Sequence, residues 1–117
     1  MSDRDPDCLF CRIVSGEIPS DRVYENDDVI AFRDIAPRAP THVLVVPRRH
    51  IADVQSLTDG DSELLASLFS ALRRVADAER LANGHRIVTN TGPESGQTVA
   101  HLHFHLLGGR PLAWPPG

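Results

Sequence analysis

Histidine alternates with apolar residues near the end of the chain, in the run His101-Leu102-His103-Phe104-His105. On a strand, successive side chains point to opposite faces, so the three imidazoles would share one face. Near neutral pH an imidazole can act as nucleophile, general base or proton donor. Attack on phosphorus needs one unprotonated imidazole, one donor to the non-bridging oxygens and a neighbour that fixes the attacking tautomer. The run therefore predicts a site for phosphoryl chemistry.

Two other interpretations apply to the same run. A half-buried strand with its polar residues outward would explain one histidine, and three in alternation make that explanation much weaker. A three-histidine metal site is also possible, although neighbouring positions on one flat strand rarely converge on one ion with tetrahedral geometry.

The only two cysteines, Cys8 and Cys11, form a single CxxC pair. Thiolate and imidazole donors suit zinc, and His50 and His101 could complete a Cys2His2 set. Four protein ligands leave no open position for water, so this zinc would be structural. The alternative is two unligated thiols at the start of a helix.

The elements that must position these residues are short strands and one long helix. Apolar residues recur at helical spacing between Leu64 and Ala76, with Thr58, Asp59 or Asp61 as caps and an end near Asn83-Gly84. The remaining predictions are a helical turn at residues 8–15, a loop at 91–96, and strands at 23–24, 29–33, 43–46, 86–90 and 101–107. This order indicates a single α+β domain over residues 1–117.

Composition excludes several classes of protein. The chain has 117 residues, is 41% hydrophobic and 24% charged, and has a formal net charge of -4, which is ordinary for a globular protein. No basic face suggests nucleic acid as a partner, and no apolar run reaches the roughly 18 residues of a membrane span. Residues 1–7 are polar and unlike a signal peptide, so we expect a cytoplasmic protein with reduced cysteines.

The histidine run and the following Gly108-Gly109-Arg110 closely resemble the signature of the histidine-triad (HIT) family. The resemblance is to its Hint branch of purine nucleoside phosphoramidases, in the bacterial form that carries a CxxC zinc motif. It covers nearly the whole chain through Glu17-Ile18-Pro19, Ala31-Phe32-Arg33-Asp34-Ile35, Ala39-Pro40-Thr41-His42, Val88-Thr89-Asn90, Gly96-Gln97-Thr98 and Trp114-Pro115-Pro116-Gly117. It implies a HIT-like fold: a five-stranded antiparallel sheet with one long and one short helix, continued across a homodimer as a ten-stranded sheet.

The resemblance also implies the catalytic roles. His103 would be the nucleophile that forms a nucleotidyl-histidine intermediate, and His105 would hydrogen-bond a phosphate oxygen. His42 would orient His103 from behind. Thr98 would donate to the leaving group, where animal relatives commonly have serine. His101, the first histidine of the run, would turn to the metal with Cys8, Cys11 and His50.

The same resemblance implies how a nucleotide would bind. Asp34 would hold the ribose hydroxyls, while the tail with Trp114 would reach toward the partner's active site and help choose the leaving group. The other implied contacts are Phe10, Phe32 and Ile35 at the base, and Asn90, Gly96, Gln97, Thr98 and the Val99 amide at the phosphate and leaving group.

The expected activity is cleavage of the P–N bond of purine nucleoside monophosphate derivatives, of the AMP-amine or aminoacyl-AMP type, without an organic cofactor. A dinucleoside polyphosphate hydrolase of the Fhit-type branch is the rival within the family, but that branch usually has glutamine where this chain has His105. A uridylyltransferase-like activity is disfavoured for the same reason and because the chain is far too short. A nucleotide-binding scaffold with little turnover is the third alternative, against which the intact His42, His103 and His105 argue.

Overall fold

The computed structural model describes residues 4–117, so part of the polar stretch at residues 1–7 lies outside the described residues. Its helices and strands, in chain order, are α1 (Leu9–Val14), β1 (Arg22–Glu25), β2 (Val29–Arg33), β3 (Thr41–Pro47), α2 (Ser62–Ala78), β4 (His85–Val88) and β5 (Phe104–Gly108). Short 3-10 turns lie at Val54–Ser56, Asp59–Asp61 and Pro93–Ser95. None of these helices is long and apolar enough to cross a membrane.

The five strands form one sheet in the order β1-β2-β3-β5-β4, and every neighbouring pair is antiparallel. All seven residues of β3 are buried, because this strand lies between β2 and β5 and both faces of the sheet are covered. Helix α2 packs on one face, and α1 packs on the other. The prediction of a five-stranded antiparallel sheet with one long and one short helix is confirmed.

Helix α2 begins where the sequence predicted. Thr58 caps the turn Asp59–Asp61, and the Asp61 carboxylate accepts from the Thr58 backbone N–H, which completes a capping box. Leu68, Leu72 and Val75 then face the sheet, as their helical spacing indicates.

The end of α2 differs from the prediction. The helix ends at Ala78, five residues before Asn83-Gly84, because Arg80 adopts a left-handed conformation with φ 58°. The Leu81 N–H then bonds the Ala76 carbonyl at 3.0 Å, the pattern of a Schellman cap. Glycine usually occupies this position, so the pattern Asn83-Gly84 pointed to a later stop.

Strand β5 begins at Phe104, so His101 and His103 lie just before it rather than inside it, as a strand over residues 101–107 predicts. The alternation of faces nevertheless extends through this segment. Leu102 and Phe104 belong to the core under α2, whereas the histidine side chains lie on the opposite face.

Gly109, the second glycine of the Gly-Gly-Arg signature, is required by local geometry. Its φ of 92° is disfavoured for residues with a side chain, and a Cβ there would lie 2.8 Å from the Cβ of Pro40. The turn after β5 can therefore pass close to Pro40 only with glycine at this position.

Candidate active site and metal centre

Strand register builds the floor of the candidate site. Phe32 pairs with Leu44, and Leu44 pairs with His105, so the three side chains form a row across β2, β3 and β5. Two residues further along, the Asp34 N–H bonds the His42 carbonyl at 3.0 Å, which brings Asp34 and His42 to the same face. The face is the one covered by α1.

A cleft of about 630 Å³ lies between α1 and this face. This volume is within the range of small-molecule sites. Most of the lining is apolar, and the polar groups are at the sheet side. The lining residues are Leu9, Phe10, Ile13, Ile18, Pro19, Ser20, Asp21, Phe32, Arg33, Asp34, Ile35, Leu44, Thr98, Val99, His103 and His105.

The hydrogen bonds assign the tautomer of His103. Its Nδ1 lies 2.7 Å from the backbone carbonyl of His101, which can only accept, so Nδ1 carries the proton. In the neutral form of this ring the lone pair is therefore on Nε2. Phe10 packs edge-on against the ring at 5.0 Å between centroids and restricts its orientation. This arrangement is what an attacking imidazole requires.

A second chain of hydrogen bonds assigns His42 and His105. The Arg38 backbone N–H donates to His42 Nδ1 at 3.0 Å, so the His42 proton is on Nε2. That Nε2–H faces His105 Nδ1 at 2.8 Å, which leaves the proton of His105 on its own Nε2. His42 was expected to orient His103, but its hydrogen bond goes to His105. His103 is held by the backbone instead, and the His103 and His105 rings pack at 5.1 Å.

Both rings of this second pair are held neutral. Burial disfavours the imidazolium and lowers the pKa of His105 to about 4, with the neighbouring His103 and His42 adding to the effect and Asp34 opposing it. Burial likewise lowers the pKa of His42, again against the attraction of Asp34. The 3.4 Å contact between His42 Nε2 and Asp34 Oδ2 is therefore between a neutral ring and a carboxylate at pH 7.

Cys8, Cys11, His50 and His101 form a second cluster beside the cleft, with their ligand atoms all within 4.8 Å of one another. His101 Nδ1 lies 3.3 Å from Cys8 Sγ, and His50 Nδ1 lies 3.3 Å from Cys11 Sγ. His101 Nε2–H donates to the Pro47 carbonyl at 2.9 Å, so Nδ1 offers its lone pair to the thiols. Burial lowers the pKa of His101 to about 4 and keeps it neutral.

This donor set fits one tetrahedral zinc ion. Two sulfur and two nitrogen donors are a common structural set, and the S···N separations of 3.3 to 3.5 Å are close to the roughly 3.5 Å that tetrahedral ligation of zinc would give. Helix α1 contributes both sulfurs, because Cys8 is its N-cap and Cys11 lies one turn further on. The quartet expected from the sequence is thus brought together in space.

Asp34, His42 and His105 form another group of potential ligand atoms. Their tautomers oppose metal binding, since His42 Nε2 carries its proton while Nδ1 accepts from the Arg38 N–H. A hydrogen-bonded chain accounts for this group without an ion.

Several residues that were expected to line the cleft lie elsewhere, or their side chains are hydrogen-bonded to other groups. The Gln97 side chain accepts from the Gly92 N–H and donates to the carbonyls of Ala52 and Val99, so it braces its own loop. Trp114 is 79% exposed and lies over Arg86 at 6.0 Å. Asn90, Gly96, Gln97 and Trp114 do not line the cleft, whereas Phe10, Phe32, Asp34, Ile35, Thr98 and Val99 do.

The sequence predictions missed part of the apolar wall. Leu9 and Ile13 project from α1 beside Phe10, Ile18 follows in the next loop, and Leu44 lies between Phe32 and His105. The spacing of Leu9 and Ile13 at i and i+4 was a usable signal, because such residues share a helix face. The position of Leu44 needed the strand register.

The α+β fold with its five-stranded antiparallel sheet matches that of several solved structures. A HIT family hydrolase from Legionella pneumophila matches with 50% identity over 95% of this chain and 100% of that chain, at a TM-score of 0.93. A histidine triad nucleotide-binding protein from Candida albicans matches with 30% identity over 93% of this chain and 83% of that chain, at a TM-score of 0.80. An uncharacterised HIT-like protein of Synechococcus elongatus is 52% identical over 95% and 97% of the two chains.

The HIT domain model matches residues 15–112, and the chain belongs to the HIT family. The family prediction is thereby confirmed, and the named relatives support a hydrolase.

Proposed function

We propose that this protein is a nucleotide-binding hydrolase that cleaves the P–N bond of purine nucleoside phosphoramidates. The observation that carries the proposal is the tautomer of His103. Its Nδ1–H is bonded to a backbone carbonyl, so the unprotonated Nε2 is free for nucleophilic attack in a cleft large enough for a nucleotide.

In the proposed reaction, His103 Nε2 attacks the α-phosphorus, and the P–N bond to the amine breaks. The amine leaves with one proton, which the Thr98 hydroxyl in the cleft lining would relay from solvent. Water then attacks phosphorus, the new P–O bond replaces the bond to Nε2, and the proton that water loses passes to solvent, which releases the nucleoside monophosphate and restores the neutral imidazole. The Nδ1–H bond to the His101 carbonyl stabilises the positive charge that the ring carries in the intermediate.

His105 and His42 supply the electrostatic part of this proposal. The chain from the Arg38 N–H through His42 leaves His105 with an Nε2–H that can donate to a non-bridging oxygen. Because this donor is prearranged, little reorganisation is needed as charge develops. Asp34 would hold the ribose hydroxyls, and Phe10 and Phe32 would enclose the base.

Three further assignments belong to the same proposal. The Cys8, Cys11, His50 and His101 quartet would hold a structural zinc, as in bacterial Hint-like proteins. Two copies would pair into a ten-stranded sheet, for which β4 is one of the two edge strands. The protein would act in the cytoplasm.

The deciding experiment compares turnover of adenosine 5'-phosphoramidate and of diadenosine polyphosphates by the same preparation. We expect a higher kcat/KM for the phosphoramidate, and acid quenching should trap one nucleotidyl group on the His103 peptide. His103→Gly should lose turnover by at least about a thousandfold, because the attacking nitrogen is gone. The exposed His85 provides the matched control, His85→Gly.

Other results would redirect the assignment. Faster cleavage of the polyphosphates would favour the Fhit-type activity. Nucleotide binding without turnover of any substrate would favour a scaffold, and a labelled residue other than His103 would refute the placement of the nucleophile.

A further inference from the structure

Ser20 lies in the loop between α1 and β1, next to Ile18-Pro19, and it lines the cleft. Its Oγ is shielded from solvent and has no hydrogen-bond partner, and it is the only buried side-chain nitrogen or oxygen of this kind found in residues 4–117. Buried hydroxyls are normally paired, because losing hydrogen bonds to water costs free energy unless another bond replaces them. An unpaired hydroxyl in a cleft wall calls for an explanation.

Among residues 4–117, no group makes a hydrogen bond to the Ser20 hydroxyl. Ile18, Ile13, Phe10 and Phe32 form the apolar wall of the cleft. The next residue, Asp21, has a side chain that is 73% exposed, and its carboxylate lies 3.6 Å from Arg33 Nε. Ser20 therefore provides an uncommitted hydrogen-bonding group in a wall that would otherwise recognise a base only by its shape.

We propose that Ser20 Oγ hydrogen-bonds the substituent at C6 of a purine base. The inference rests on the proposed function, in which the phosphate meets His103 and His105 and the ribose meets Asp34. The six-membered ring of the base then extends away from the sugar into the apolar part of the cleft, so its C6 group meets the wall.

The chemistry of a hydroxyl sets the ligand class. It can accept from an amino group and can donate to an oxo group. Ser20 should therefore serve both adenine and guanine nucleotides, and it should discriminate against a purine with hydrogen at C6. Ser20 is in this proposal a specificity residue that takes no part in the chemistry at phosphorus.

The test measures, by calorimetry, the Kd of AMP, GMP and purine riboside 5'-monophosphate for the wild-type protein and for Ser20→Ala. We expect the wild-type protein to bind AMP and GMP roughly threefold to tenfold more tightly than purine riboside monophosphate. Ser20→Ala should remove this preference without changing the Kd of purine riboside monophosphate. Ser67→Ala, on the helix that covers the opposite face of the sheet, should behave as wild type.

A stability measurement accompanies the binding data. Without nucleotide, Ser20→Ala should unfold at the same denaturant concentration as wild type or a higher one, because no hydrogen bond is lost. Saturating AMP should raise the Tm of Ser20→Ala by less than it raises the Tm of the wild-type protein. A clear loss of stability without nucleotide would mean that the hydroxyl already has a partner, and it would overturn the proposal.

The outcomes separate this inference from the function on which it rests. If wild type binds none of the three nucleotides, the proposed function fails and the role of Ser20 fails with it. If wild type binds all three equally, or Ser20→Ala weakens all three equally or none, the function stands and the role of Ser20 is wrong.

Discussion

Three backbone groups, rather than side chains alone, determine what the histidines at this site can do. The carbonyls of His101 and Pro47 and the N–H of Arg38 assign protons on His103, His101 and His42 respectively. Each bond leaves one defined nitrogen for a role: the proposed attack by His103, the proposed metal ligation by His101, or the donation by His42 to His105. The chemistry of a histidine cluster thus depends on main-chain atoms as much as on the imidazoles.

One prediction at the residue scale concerns acid stability. His105 has a pKa of about 4 in the folded protein, against about 6.5 in the unfolded chain. As pH falls below 6.5, the unfolded state binds a proton first, so the free energy of unfolding decreases until pH approaches 4. In His105→Gln this contribution is absent, so the free energy of unfolding should fall less steeply than that of the wild-type protein between pH 6.5 and pH 5.

Urea unfolding midpoints at pH 5 to 7 measure this effect. His85→Gln, at an exposed position of β4, is the matched control and should follow the wild-type slope. Parallel curves for His105→Gln and wild type would show that the imidazole at position 105 carries no such penalty.

At the scale of elements, helix α1 joins the two centres. Cys8 and Cys11 contribute to the metal quartet, and the residues between them, Leu9 and Phe10, line the cleft. An ion bound by the quartet would therefore attach this short helix to the sheet beside the histidines. A six-residue helix is not stable by itself, so its position depends on such tertiary contacts.

Replacing both cysteines should separate stability from chemistry. In the double variant Cys8→Ser and Cys11→Ser, zinc should fall from about one per chain to none. The free energy of unfolding should decrease by about 3 kcal/mol or more, the contribution of a ligand present at a hundredfold excess over its Kd. KM should rise because the α1 wall loosens, while kcat should change less, since the ion is not proposed to touch substrate.

Elemental analysis of protein never exposed to chelator, urea unfolding and steady-state kinetics test this. Ser15→Ala at the end of the same helix is the control. Wild-type protein without bound metal would remove the zinc assignment, and a loss confined to kcat would place the ion in the chemistry.

The end of α2 allows a stabilising substitution. Arg80 occupies a left-handed position that favours glycine, and Arg80→Gly should raise the free energy of unfolding by roughly 0.5–1 kcal/mol. Arg80→Ala keeps the Cβ and the unfavourable backbone conformation, so it should show no comparable gain. Equal stability of the two variants in urea would indicate that the conformation carries no penalty.

At the scale of the whole molecule, the tail lies along the edge strand β4. The Arg86 guanidinium donates to the Ala113 carbonyl at 2.9 Å and lies over the Trp114 ring at 6.0 Å. An indole that remains 79% exposed in one chain is a candidate contact for a second chain. We therefore propose a link between the expected dimer and the position of the tail.

Removing residues 114–117 tests that link. Sedimentation of the full-length protein should give a dimer at micromolar concentration, and the truncated protein should dissociate more readily or lose its preference among phosphoramidates. His103 should still form the covalent intermediate in the truncated protein. A full-length monomer would exclude the dimer, and unchanged specificity constants after truncation would exclude a role of the tail in choosing the leaving group.

Much of this architecture follows from local pattern. Alternation placed His101, His103 and His105 on one face, and helical spacing identified α2 and its buried side. Cap chemistry located the start of α2, while its end was misplaced because Arg80, rather than a glycine, adopts the left-handed conformation.

The partners of the histidines could not be predicted in the same way. Which ring His42 touches depends on the register of β3 against β5, a non-local property that pairs Leu44 with His105. The tautomer of His101 depends on Pro47, which is distant in sequence. Sequence patterns identify the chemical groups, but only the fold determines which atoms face each other.

The double use of residue 101 has an evolutionary consequence. Its imidazole belongs to the quartet proposed to bind zinc, whereas its carbonyl accepts from the proposed nucleophile His103. Every amino acid has that carbonyl, so a descendant could exchange the imidazole and the cysteines for ordinary packing residues and keep the attacking tautomer intact. Under the proposed function, the ion could therefore be gained or lost in the history of such a chain, by drift or by selection through metal supply, where other contacts hold α1, while the backbone bond that sets the His103 tautomer is retained.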